Sequence, residues 1–146
     1  MSDQSLLLVS IGGELAGIDA AIIRSVVELE AITPVPRAPE HIAGLAALRS
    51  RAMTVVDCRR SLELPPLEYA TKSLAVVVEV DEFLYALVVD EVEEVVPLDG
   101  DPTEVRADLL PGWARAALGM IETSVGPALL LDSAMLIQGP VKREAA

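Results

Sequence analysis

The chain has 146 residues, enough for one compact domain or two very small ones, and 52% of them are hydrophobic, so a substantial core can form. Aromatic residues are only 3% (Trp113, Phe83, Tyr69 and Tyr85), which leaves the packing to Val, Leu, Ile and Ala and offers no stripe for stacking bases or sugar rings. Lys+Arg number 11 against 23 Asp+Glu, and a net charge of −12 repels nucleic-acid phosphates and anionic lipid surfaces, so neither is an expected partner.

Met1 to Ser5 lacks the basic start and apolar core of a signal peptide, and no apolar run approaches the ~20 residues that span a bilayer. A cytoplasmic, soluble protein is expected, with no membrane insertion. The apolar runs are short, rich in Val, Ile and Leu, and separated by Gly, Pro or acidic residues, which is the pattern of strands. Leu6 to Ile11 predicts a strand, Gly12-Gly13 a turn, and Glu14 to Ile18 the returning arm of a hairpin. Ile22 to Ile32 carries a further strand, stopped by Pro34 and Pro36. Gly44 to Leu48 and Ala52 to Val56 predict another hairpin. Cys58 to Leu64 predicts a short helix with Asp57 as its N-cap, since a carboxylate there accepts bonds from the free N–H groups of the first turn. Pro65-Pro66 marks a junction.

The second half follows the same plan. Leu74 to Val80, Asp81-Glu82 and Phe83 to Val89 predict strand, turn and strand. Val95-Val96 echoes Val26-Val27, and Leu130-Leu131-Asp132 with Ser133 to Ile137 echoes Val55-Val56-Asp57 and its helix. Pro102 to Pro111 reads as a loop. Asp19 and Asp90 stand 71 residues apart, Gly44 and Gly119 stand 75 apart, and so do Asp57 and Asp132. Two similar β units of about five strands each, near residues 5–64 and 74–138, are therefore expected within a single all-β domain. Units that small bury little surface alone and should pack on each other.

Catalytic and metal chemistry finds little support. His41 is the sole histidine, lacks ligands at metal spacing, and lies in a loop where a surface position is expected. Cys58, the sole cysteine, excludes an intramolecular disulfide and reads as a buried structural thiol, although the start of a helix could activate it. Neither a phosphate-binding glycine loop nor a Gly-x-Ser-x-Gly elbow occurs. The acidic run Asp90, Glu91, Glu93 and Glu94 lacks the glycine and oxygen spacing of a calcium loop and reads as a solvated strand face. No enzyme activity, cofactor or metal is expected. A small Cys58–His41 enzyme is the rival reading.

Gly17-Ile18-Asp19, Pro34 to Pro39, Gly44 to Arg49 and Val55-Val56-Asp57, followed by Leu87 to Val95 and Leu130-Leu131-Asp132, together resemble the CheW family in order and spacing over residues 5 to 138. The resemblance implies two packed SH3-like five-stranded β-barrels. It implies a non-catalytic adaptor that joins the cytoplasmic tip of chemoreceptors to the regulatory domain of a CheA-type histidine kinase. Its contact residues would fall on Ile23, Arg24, Ser25, Val26, Leu45, Leu48 and Arg49; Arg49 could pair a receptor carboxylate through two parallel bonds or equally serve as a structural arginine bonding loop carbonyls. The chain has Ser25 where the family usually has Glu, Ala47 for Asn, Ser50 for Gly and Thr54 for Pro. A kinase-binding ring or decoy component of a non-flagellar pathway is the alternative within the family. A monomer is expected in isolation.

Overall fold

Short apolar runs rich in Val, Leu and Ile, several of them joined by two-residue turns, produce ten strands of six to eight residues among the described residues. The structure is a computed structural model that describes residues 4–65, 73–98, 100–104 and 108–140. Strands β1 (Ser5–Ile11) and β2 (Glu14–Asp19) lead through a 3-10 turn (Ala20–Ile22) into β3 (Ile23–Leu29). After β4 (Ile42–Leu48) and β5 (Arg51–Asp57) comes one helical turn, α1 (Cys58–Ser61). The second half runs β6 (Ser73–Val80), β7 (Phe83–Val89), β8 (Glu91–Pro97), α2 (Pro111–Ala116), β9 (Ala117–Thr123), β10 (Gly126–Leu131) and α3 (Ser133–Gln138).

Three elements differ from expectation in their bounds or type. β3 stops at Leu29, and α1 stops at Ser61 with Leu62 as its C-cap. Pro111, expected to close a loop, instead opens α2, where its missing N–H costs nothing at the first helical position. That helix is too short to show a period; burial of Trp113 and Ala116 and the seating of Gly112 against the Leu62 carbonyl hold it. The Pro65-Pro66 junction runs into residues 66–72, outside the described residues.

The strands form two five-stranded sheets, ordered β8-β1-β2-β10-β9 and β3-β6-β7-β5-β4. Neither sheet coincides with one half of the chain: each half lends strands to both. The strand orders correspond when β1 and β2 are matched to β6 and β7, β8 to β3, and β9 and β10 to β4 and β5. The registers correspond too. A shift at Ile23/Ser25 in the β3–β6 pair matches one at Leu7/Val9 in β1–β8, and the shift at Ile42/Gly44 matches that at Leu130/Leu131. By register Asp19 lies opposite Leu6 as Val88 lies opposite Ala75, so Asp19 corresponds to Val88 rather than to Asp90.

Each sheet curls until its ends meet. Thr33 bridges Leu45 and Thr103 bridges Met120. A Cβ on Gly44 would stand on the Thr33 carbonyl, and one on Gly119 on the Thr103 carbonyl, so both closures need glycine. One buried cluster (Leu29, Met53, Val55, Ala75, Val77, Leu84, Ala86) fills the second barrel, and another (Leu6, Leu8, Val96, Leu98, Ile121, Ala128) fills the first. The largest lies between them, joining Leu7, Val9, Ile11, Ala16 and Ile18 to Val56, Val76, Val78 and Leu87, with Trp113 and Leu136 from the helices.

The helices pack together beside that interface. Arg115 donates from Nη1 to the Met135 carbonyl at 2.6 Å and from Nη2 to the Ser61 carbonyl at 2.8 Å, while Ser61 Oγ donates to the Leu136 carbonyl at 2.7 Å. One guanidinium thus ties the Ser61 carbonyl at the end of α1 to the Met135 carbonyl of α3, which also accepts the Gly139 N–H at 3.0 Å. No helix among the described residues is long and apolar enough to cross a membrane.

Candidate functional site

Cross-strand neighbours on one face of a sheet act as a unit. One such row crosses the second barrel: Ile23 opposes Val78, Val78 opposes Tyr85, Tyr85 opposes Thr54, Thr54 opposes Leu45, and Leu45 opposes Thr33. Val78 belongs to the inter-barrel cluster, with Ile23 and Tyr85 packed against it, so the row lies on the face turned toward the first barrel. Val26 shares that face, opposite buried Val76, and is 43% exposed. Leu45, at the other end of the row, is 42% exposed.

The structure therefore divides the seven expected contact residues. Ile23, Val26 and Leu45 share the outer face. Ser25 lies opposite Val77 of the barrel interior, and Leu48 packs on that interior cluster, so both belong to the inner face. Arg24 occupies the register shift and donates from Nη1 to the Ala21 carbonyl at 3.1 Å; its Nε lies 3.7 Å from Glu79, which also lies 3.8 Å from Arg51. Tyr85 on β7 and Thr54 on β5, which join the two ends of the row, were not read as contact residues from the sequence; a strand pattern marks each as one-faced but not which face.

Arg49 is different again. Leu48 pairs with Arg51, so Arg49-Ser50 is a two-residue hairpin loop, and both residues have positive φ, 50° and 73°. This is the turn that favours Asn-Gly or Gly-Gly, because a Cβ is strained there. The Arg49 side chain is exposed and makes no hydrogen bond or ion pair with the described residues. A structural arginine bonded to loop carbonyls is not what the turn holds; the guanidinium is presented to solvent.

The candidate catalytic groups are accounted for inside the fold. His41 is not on the surface: it is 4% exposed, its Nε2 lies 2.8 Å from the Ile137 carbonyl, and Gly139 lies against its ring. The loop packs under the end of α3, a long-range contact that no local pattern announces. Cys58 is fully buried in the inter-barrel cluster. Burial, reinforced by the charges of Asp57 and Asp90, pushes its thiol far above the ordinary range, so a thiolate nucleophile is disfavoured. Asp57 does cap α1, accepting from the Arg60 N–H at 3.3 Å.

The acidic run is also divided. Asp90 accepts from Arg59 and from the Gly12 N–H, and Glu93 accepts from Ser10 Oγ at 3.2 Å. Among the described residues no three His, Cys, Asp or Glu side chains converge as metal ligands. What the site offers is a face whose Val26 and Leu45 are exposed while Val78 between them is buried against the first barrel, an arginine unpaired among the described residues at one edge, and an Arg24–Glu79–Arg51 cluster nearby. That is chemistry suited to recognition.

Comparisons with known proteins agree with this fold. A family model described as the CheW-like domain matches residues 5–140. Among curated proteins, the chain is 22% identical over 139 residues to the chemotaxis protein CheW of Treponema pallidum, covering 90% of this chain and 82% of that one. It is 23% identical over 121 residues to the chemotaxis protein CheW of Rhizobium meliloti, covering 80% and 78%. Among solved structures, the scaffolding protein TtCheW from Thermoanaerobacter tengcongensis superposes with a TM-score of 0.76 at 25% identity, covering 88% of each chain.

Proposed function

This chain belongs to the CheW-like domain family, and on that premise we propose that it is a non-catalytic chemotaxis adaptor that couples chemoreceptors to a CheA-type histidine kinase. It works as a single domain built from two related halves, near residues 5–64 and 74–138. The observation that carries the reading is the match of the family over residues 5–140, essentially the whole two-barrel fold. The site chemistry supports it: apolar side chains at one face of the second barrel suit the apolar stripe of an amphipathic helix, and Arg49 is free to meet a carboxylate. With Cys58 protonated in the core and His41 bonded to Ile137, the chain's own nucleophile and its imidazole serve packing.

Arg24, Arg49, Ile23, Val26 and Leu45 contribute to partner contact through their side chains. Ser25 and Leu48 act by holding the edge strands in shape. Reconstitution of the protein with a receptor signalling fragment and the kinase from the same genome tests the role. Kinase output should rise only when all three are present; phosphorylation that is the same with and without this protein would sink the proposal.

A further inference from the structure

We infer that the cavity between the loop before β4, the end of α1 and the end of α3 binds a zwitterion, a free amino acid or short peptide. The ligand's carboxylate meets Arg37 and Arg60, and its ammonium meets Glu63. The cavity measures about 790 Å³, and its charged lining is Arg37, Glu40, Arg60 and Glu63. That volume is within the range of small-molecule sites. Buried His41 lies at the base, its ring fixed by the Ile137 carbonyl at 2.8 Å and by Gly139 packed against it.

Two of the lining residues sit where the backbone calls for glycine. Six residues other than glycine have positive φ among those described. Arg49-Ser50 and Asp81-Glu82 are the tips of two-residue hairpins; the remaining two are Arg37 and Glu63, at 67° and 59°. Arg37 is third in the turn Val35–Ala38, which has Pro36 second and is closed by the Ala38 N–H on the Val35 carbonyl at 3.3 Å. Proline second and positive φ third make a type II turn, which favours glycine at the third place. Glu63 follows the C-cap of α1. Its N–H donates to the Arg60 carbonyl at 3.0 Å and the Leu64 N–H to the Arg59 carbonyl at 2.7 Å. This is the Schellman arrangement, and Glu63 again stands at the place of glycine. Left-handed strain of this kind persists where the side chain is needed for more than folding. Here it places a guanidinium and a carboxylate on one cavity.

The charges choose the ligand. Neither the Arg37 nor the Glu63 side chain makes a hydrogen bond or ion pair with the described residues. Arg60 Nη1 lies 3.7 Å from Glu40 Oε2, too far for a hydrogen bond, and both side chains are exposed, so this guanidinium stays open to a stronger acceptor. Two guanidiniums and two carboxylates line the same space. A phosphate would gain from the first pair and be repelled by the second, whereas a molecule with an ammonium at one end and a carboxylate at the other satisfies both. Leu64 and Pro140 add apolar wall for a side chain between those ends. The cavity uses none of the residues assigned to partner contact, so it stands or falls apart from the coupling role.

Thermal shift followed by calorimetry on the full chain tests the site, with free amino acids and pools of dipeptides and tripeptides as probes. Each compound that binds is repeated with its amino end acetylated and with its carboxyl end amidated. Zwitterions should raise the melting temperature, and blocking either end should weaken binding about tenfold or more, as loss of a charged hydrogen bond does. Arg37→Gly and Glu63→Gly, without ligand, should melt at or above the wild-type temperature, because glycine relieves the strain. Each should nevertheless bind the unblocked compound about tenfold more weakly. Arg37→Gly should distinguish acid from amide less than wild type does, and Glu63→Gly should distinguish free from acetylated amine less. Binding of amino acids identifies the smaller source and binding of peptides alone the larger, and either supports the site. Absence of zwitterion binding, binding unchanged by both glycine variants, or a preference for inorganic phosphate or a nucleotide overturns the inference. A fall in melting temperature in both variants would make the two charges structural and overturn it as well.

Discussion

Arg59 Nε and Nη2 donate to the two carboxylate oxygens of Asp90 at 2.9 and 2.6 Å, and Gly12 N–H donates to the same carboxylate at 2.8 Å. Arg59 follows β5 of the second barrel, Gly12 turns β1 into β2 of the first, and Asp90 sits where the chain passes from β7 to β8. The bidentate pair therefore pins the two barrels at one point, with both side chains only 19% exposed.

A pH dependence follows. Burial alone would raise the Asp90 carboxyl, but the Arg59 hydrogen bonds, the Gly12 N–H and the Arg59 charge overcome it and hold the group below the ordinary carboxylate range. A depressed native value means that the carboxylate stabilises the fold fully above the unfolded Asp value of about 4, and that this is lost as pH falls through the native one. Asp90→Asn should cost about 2–3 kcal/mol at neutral pH and flatten the acid limb of stability, as read from urea midpoints at stepped pH. An Arg59→Met/Asp90→Asn double variant should lose less than the two single changes added together.

Arg49→Ala should leave the melting temperature unchanged, since the side chain bonds nothing in the described fold, while lowering receptor-dependent kinase output. A loss as large as a core truncation, about 2–5 kcal/mol, would return Arg49 to a structural role.

Ser50→Gly at the same hairpin should stabilise the protein by roughly 1 kcal/mol, because glycine relieves the left-handed strain at φ 73°. Thermal melts of the two proteins side by side decide the sign.

Cys58 should resist maleimide or aromatic disulfide reagents in the native state and react fully in denaturant, since burial keeps it protonated and covered. Rapid native labelling at neutral pH would contradict its place in the inter-barrel core.

Gly139→Ala should destabilise the end of α3, because Gly139 has φ 74° and a Cβ there would stand in the His41 ring. If the ring is the obstacle, His41→Ala should reduce the further loss caused by Gly139→Ala, and a double-mutant cycle measures that coupling.

The strands, their turns and the Asp57 cap were legible in sequence because each is a local matter. Short Val-, Ile- and Leu-rich runs mark strands, and the Gly12-Gly13 and Asp81-Glu82 pairs between them mark hairpins. The all-β class and the recurrence of Gly44 at Gly119 rest on the same local chemistry, and the family resemblance adds the order of motifs. Which strands share a sheet was not legible: β1 and β2 are followed in sequence by β3 but pair with β8 and β10. Non-local pairing is set by burial of faces that many partners could cover.

The same limit governs the site. Arg49 could be named from the chain, yet its freedom emerged only from the hydrogen bonds it fails to make. Ile23 and Leu45 were named singly, and register alone joined them through Val78, Tyr85 and Thr54. Leu48 looked like their neighbour, but period two turned it inward. His41 passed for a loop residue until α3, nearly a hundred positions away, packed over it. The sequence by itself determined composition, the strand pattern and the hairpin turns, since these depend on residues close in the chain. The tertiary structure decided the sheet partners, the burial of His41, the Arg59–Asp90 pin and the cavity that Arg37 and Glu63 share, because each depends on atoms that only long-range packing brings together.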